Sequence, residues 1–114
     1  MIATGFSYWR AFFDPENPSH SRARSDLALL DREKVVLSEF VIAEVVSYLS
    51  SMGKTKLKDW FLDYALNTAN VRVFLFGKEE FAELAKIATE KDIPLGPASL
   101  EYLRAKLNCD VTGY

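Results

Sequence analysis

Short apolar runs rich in β-branched residues alternate along this chain with stretches whose apolar positions recur every three or four residues, and that alternation constrains the fold most. Met1–Thr4, Lys34–Ser38 and Val71–Phe76 read as strands, and Asp110-Val-Thr-Gly-Tyr114 begins another. Helical patterns lie between them. Ser19 caps one that runs to about Asp31, with Ala23, Leu27 and Leu30 on one face. Ser38 caps the next, which carries Glu39 in its first turn, runs to Met52 and stops at Gly53. Leu57, Trp60, Phe61, Tyr64 and Ala65 mark a helix ending near Asn67. Phe81, Leu84, Ala85 and Ala88 mark another, closed by Lys91-Asp92 and Pro94. Gly96-Pro97 opens the last, with Leu100, Leu103 and Leu107 as its apolar face. Its proline is expected at the first helical position, where a missing N–H leaves nothing unpaired. Strands this short and apolar, separated by helices, imply a parallel sheet covered on both faces. The expected fold class is α/β: a three-layer α/β/α arrangement around a short, mostly parallel sheet. With no repeat, low-complexity tract or linker, residues 1–114 are expected to form a single domain.

A chain of 114 residues, 49% of them hydrophobic, can bury a core without help from a disulfide or a structural metal. Fourteen Lys and Arg against sixteen Asp and Glu give a net charge of −2, which argues against electrostatically driven nucleic-acid binding and leaves a local basic patch open. The one cysteine, Cys109, excludes an internal disulfide and any multi-cysteine zinc site, and suits a reducing cytoplasm. No apolar run reaches the roughly 18 residues of a membrane span. The N-terminal segment lacks the basic start of a signal peptide, so a cytoplasmic location is expected.

In parallel sheets, ligands sit outside the carboxyl ends of the strands. Here those ends are Gly5 to Ser7, Ser38 to Glu44 by way of the following helix, and Thr112 to Tyr114. Glu44 is the most informative acid, because Phe40–Leu49 is otherwise apolar except for Ser47. Two readings of it stand: a buried carboxylate at a site, or one member of a solvated stripe with Ser47 and Ser51. His20 has no identifiable catalytic partner and reads as a surface residue, and Cys109 reads as a small buried hydrophobe. Lys54, Lys56 and Lys58, with Arg22, Arg24 and Arg32, are interleaved with acids and read as solvated helix ends. Glu79, Glu80 and Glu83 suit a helix start. Phe6, Tyr8, Trp9, Phe12 and Phe13 suit a core, a base-stacking surface or an interface. There is no glycine-rich phosphate loop, no metal-spaced His/Cys set and no nucleophile elbow, so no organic cofactor is expected.

Four places in the chain, in order, resemble a PIN domain, the fold of the VapC-type toxin ribonucleases of bacterial and archaeal toxin–antitoxin pairs. Met1-Ile-Ala-Thr-Gly-Phe-Ser-Tyr-Trp9 and the Phe-Phe-Asp-Pro-Glu-Asn-Pro-Ser-His20 that follows resemble its opening strand and first helix. Val36–Glu44 is similar to its second strand and the helix bearing its glutamate. Gly96–Cys109 is similar to the helix that usually begins Asp-Ala, and Asp110–Tyr114 to a strand end that usually supplies a last aspartate. The resemblance implies metal-assisted phosphodiester hydrolysis, in which three or four carboxylates hold Mg²⁺ or Mn²⁺. Residue by residue, only Glu44 falls on a family acid. Gly5, Pro97 and Tyr114 occupy the other acid positions, and Ser7 and Thr112 match the hydroxyls that flank the site. Glu101, one turn after Pro97 and so about 6 Å along the axis, is the possible substitute acid.

The resemblance therefore implies a degenerate domain without catalysis, with a residual protein- or RNA-binding role, acting as a homodimer. No cofactor is expected, and Mg²⁺ or Mn²⁺ is the ion if the site is active. One alternative is a divergent endoribonuclease that holds its ion between Glu44 and Glu101. Another is a structural or regulatory partner in a toxin–antitoxin-like assembly, meeting an antitoxin-like protein through exposed aromatics around Tyr8 and Trp9. The chain ends where the family usually continues, so the sheet is expected to lack a C-terminal strand.

Overall fold

The computed structural model describes all residues 1–114. In chain order the elements are β1 (Ile2–Ala3), α1 (Phe6–Phe13), α2 (His20–Leu30), β2 (Val35–Ser38), α3 (Glu39–Ser51), α4 (Thr55–Asn67), β3 (Val71–Phe74), α5 (Lys78–Lys91), α6 (Leu95–Leu107) and β4 (Asp110–Val111). The four strands form one sheet in the order β3-β2-β1-β4, and every pairing is parallel. The expected sheet was mostly parallel; it is wholly so. Parallel neighbours need a crossover, and the helices between strands supply it.

Alternation along β2 divides the core. Val35 and Leu37 face a cluster built on Tyr8, Trp9, Val41, Val45, Leu49 and Phe61, beneath α1 to α4. Val36 faces the opposite way, toward Leu84, Ala98, Tyr102, Leu103 and Cys109 beneath α5 and α6. Burial on both faces explains why β2 reads as a continuous apolar run rather than an alternating one.

The aromatics of α1 are core. Tyr8 is 1% exposed and Trp9 is fully buried, so the expected interface around them is corrected. Both rings are satisfied internally: Trp9 Nε1 donates to Thr4 Oγ1 at 3.0 Å, and the Tyr8 hydroxyl donates to the Ala23 carbonyl at 2.9 Å. Charge depletion in this segment therefore reflects burial in the domain itself. Cys109 is also buried, as read.

Local signals placed several boundaries. Ser38 Oγ accepts the Phe40 N–H at 3.1 Å and opens α3, and Gly53 takes the left-handed conformation just past its end. Pro97 differs from expectation: α6 starts at Leu95, so proline is its third residue rather than its first. Its missing N–H still costs nothing, because none of the first four amides has a partner within the helix.

Candidate functional site

At the carboxyl end of the sheet, a cavity of about 230 Å³ is lined by Gly5, Phe6, Ser7, Tyr8, Glu44, Gly96, Pro97, Leu100, Thr112 and Tyr114. β1 delivers Gly5 and the first turn of α1, β2 delivers α3 with Glu44, and β4 delivers Thr112 and Tyr114. The first turn of α6 closes the remaining side. Six positions singled out in the sequence (Gly5, Ser7, Glu44, Pro97, Thr112 and Tyr114) thus line one space. A larger apolar groove of about 480 Å³ opens at the other end of the sheet, along Met1, Lys34, Val36, Val71 and Arg72, but has no carboxylate in its wall.

Glu44 is half-buried, and its Oε1 is sealed from solvent with no hydrogen-bond partner. Burial pushes its carboxyl above the ordinary carboxylate range. Ser47 and Ser51 are exposed, so the polar stripe of α3 is real but Glu44 is set apart from its other members. The carboxyl lies directly on Gly96: a Cβ there would stand 1.9 Å from Glu44 Oε1. Gly96 is therefore an α6 residue in contact with the acid. The sequence reading missed it, although a glycine just ahead of a proline at a helix start was a visible cue.

The other walls are hydroxyl, apolar or already committed. The Gly5 N–H points to Thr112 Oγ1 at 3.4 Å, a long contact. A Cβ on Gly5 would meet Leu100 Cδ1 at 2.8 Å, so leucine fills the space beside Gly5. The Tyr114 phenol donates to Asp26, and its ring packs edge-on against Tyr8 at 5.0 Å and beneath the Arg22 guanidinium at 4.6 Å. Burial, and then the bond to Asp26, push that phenol up to about 12. The Tyr8 phenol is raised too, mainly by burial. Nothing in the sequence pointed to Asp26, which meets Tyr114 only through the fold.

Glu101 does not reach the cavity. Its Oε2 pairs with Lys91 Nζ at 3.3 Å, between α6 and α5, away from the position expected of a substitute acid. Four residues along an α-helix carry a side chain round by slightly more than one turn, and Leu100 rather than Glu101 continues the cavity face. Asp14 and Asp110 are absent from the lining as well. His20 begins α2, where its Nδ1 lies 2.9 Å from the Ala11 carbonyl, a structural contact.

The residues of this cavity do not fit a Mg²⁺ or Mn²⁺ ion. Such an ion takes about six oxygen ligands, and enzymes hold it with several carboxylates. One carboxyl among hydroxyl and apolar walls is a poor donor set, and nowhere in the chain do three Asp, Glu, His or Cys gather to hold a metal.

The family whose model matches is the PIN domain, over residues 7–101, and the chain belongs to that family. No curated protein is similar to it by sequence. Among solved structures it is similar to the crystal structure of Mycobacterium tuberculosis VapC20, a Sarcin-Ricin loop cleaving toxin. The TM-score is 0.85 over 100% of this chain and 89% of that one, at 16% identity. At that identity the likeness establishes a shared fold.

Proposed function

We propose that this PIN domain is a non-catalytic binding domain, which retains the family's cleft without the acids that make it a nuclease and holds RNA there uncut. One observation carries the reading: a single cavity gathers Gly5, Glu44, Gly96, Pro97 and Tyr114, and Glu44 is its one carboxylate. Water activation by a metal ion needs several carboxylates to fix the ion, and this wall offers hydroxyls and a leucine in their place. The family's ribonuclease chemistry, and the likeness to a Sarcin-Ricin loop cleaving toxin, support RNA as the ligand. Calorimetric titration with Mn²⁺ tests the reading: no binding tighter than millimolar is expected. Micromolar binding that Glu44→Ala abolishes would contradict it.

A divergent endoribonuclease would need Glu101 beside Glu44, and Glu101 is outside the cavity lining and paired with Lys91. A protein-binding role has its own support. A groove of about 360 Å³ runs along Phe12, Phe13, Arg24, Leu27, Leu57 and Trp60. Trp60 is 40% exposed there and stacks on Phe12 and Tyr64. An antitoxin-like partner would dock on this groove rather than around Tyr8 and Trp9, and Trp60→Ala would release it from a co-purified complex. The proposal includes a homodimer in the cytoplasm, which light scattering of the purified chain checks. No helix is long and apolar enough to cross a membrane.

A further inference from the structure

We propose that the trough beside the Glu44 cavity is a binding site for a phosphate-type oxyanion, clamped by Arg10 with Ser7, Asn17 and Ser19. The trough, of about 240 Å³, is lined by Phe6, Ser7, Arg10, Ala11, Asn17, Ser19 and Tyr114. It shares Phe6, Ser7 and Tyr114 with the Glu44 cavity, so the two are neighbours.

Its chemistry is that of donors without acids. Ser7 and Arg10 stand three residues apart, on one face of α1. The α1–α2 connection supplies Asn17 and Ser19 to the same wall and is ordered by local bonds, Glu16 N–H on Asp14 Oδ1 at 3.0 Å and Ser19 N–H on Asn17 Oδ1 at 2.9 Å. That second bond occupies the Asn17 carbonyl oxygen and leaves its amide NH₂ as the group free to bind a ligand. Arg10 is exposed and belongs to none of the chain's ion pairs, whose cations are Arg22, Lys91 and Lys106. No carboxylate lines the trough, although the chain has sixteen Asp and Glu. A planar guanidinium, an amide and two hydroxyls lining one trough with no carboxylate in its wall suit tetrahedral oxyanions, and the same guanidinium repels a divalent cation. A free phosphate and a phosphate of an RNA backbone offer the same oxygens. As a site for the first, the trough is independent of the RNA-holding role; as a site for the second, it rests on that role.

Two titrations test the assignment, the first at constant ionic strength and the second at several salt concentrations. Inorganic phosphate, followed by amide shifts in an ¹⁵N-labelled chain, is expected to give saturable shifts at Ser7, Arg10, Asn17 and Ser19. Arg10→Gln should weaken them at least about tenfold, the loss of one charge-assisted contact. An oligouridylate with hydroxyls at both ends should bind more tightly, and its salt dependence should fall by about 0.7 in slope in Arg10→Gln. Phosphate binding without oligonucleotide binding supports the oxyanion site and overturns RNA as its occupant. Absence of saturable phosphate shifts, or shifts and RNA affinity unchanged in Arg10→Gln, would overturn the site itself.

Discussion

Glu44 Oε1 is sealed from water with no donor to meet it. An unmade hydrogen bond of this kind costs about 1 kcal/mol or more when the group is charged. Burial raises the folded-state pKa above the unfolded value, so the carboxyl is tolerated when protonated and becomes a liability as pH rises through the folded pKa. Glu44→Gln is therefore expected to stabilise by about 1 kcal/mol at pH 8, about 4 °C in Tm, with the gain shrinking toward pH 4. Thermal unfolding across that range checks it, and a loss of Tm at pH 8 would mean the carboxylate has a partner. Gly96→Ala drives a methyl group into the same carboxyl and should cost about 1 kcal/mol in the wild-type background. In a Glu44→Ala background the cost should vanish, which a double-mutant cycle by urea unfolding measures. Glu44 was legible because an acid in an otherwise apolar helix stands out. Gly96 and Asp26 were not, since contact across the fold leaves no trace in local spacing.

Element starts were more legible than element partners. The α3 N-terminus followed from Ser38, whose side chain makes the expected bond to the Phe40 N–H, and Ser38→Ala should cost about 1 kcal/mol. The next residue does something the sequence did not disclose: Glu39 Oε1 accepts the Phe76 N–H at 2.6 Å and ties the exit of β3 to the start of α3. That bond also explains why β3 ends at Phe74, two residues earlier than its apolar run suggested. Glu39→Ala should cost about 2 kcal/mol, as loss of a hydrogen bond to a charged acceptor, and loosen the Phe74–Gly77 amides in hydrogen exchange. In α6, helical periodicity found the apolar face, while the three-residue offset of Pro97 from the Pro94 cap escaped it. Proline is acceptable anywhere in a first turn, so its presence fixes the turn but not the register.

Taken whole, the molecule has the fold of its family. The parallel sheet brings three separate strand ends and the α6 start to one cavity, which is why residues far apart in sequence could be matched to a single site. Convergence follows from topology and survives the loss of any one acid. The side-chain directions that decide which acids arrive do not follow from it, and Glu101 shows the gap by pairing with Lys91 instead. The central claim is that Glu44 alone cannot support metal-assisted hydrolysis. Incubating the purified chain and its Glu44→Ala variant with RNA and Mg²⁺ or Mn²⁺, and resolving the products by denaturing electrophoresis, tests it most directly. Identical, intact RNA is expected in both lanes; metal-dependent cleavage by the wild-type chain that disappears in Glu44→Ala would contradict the claim.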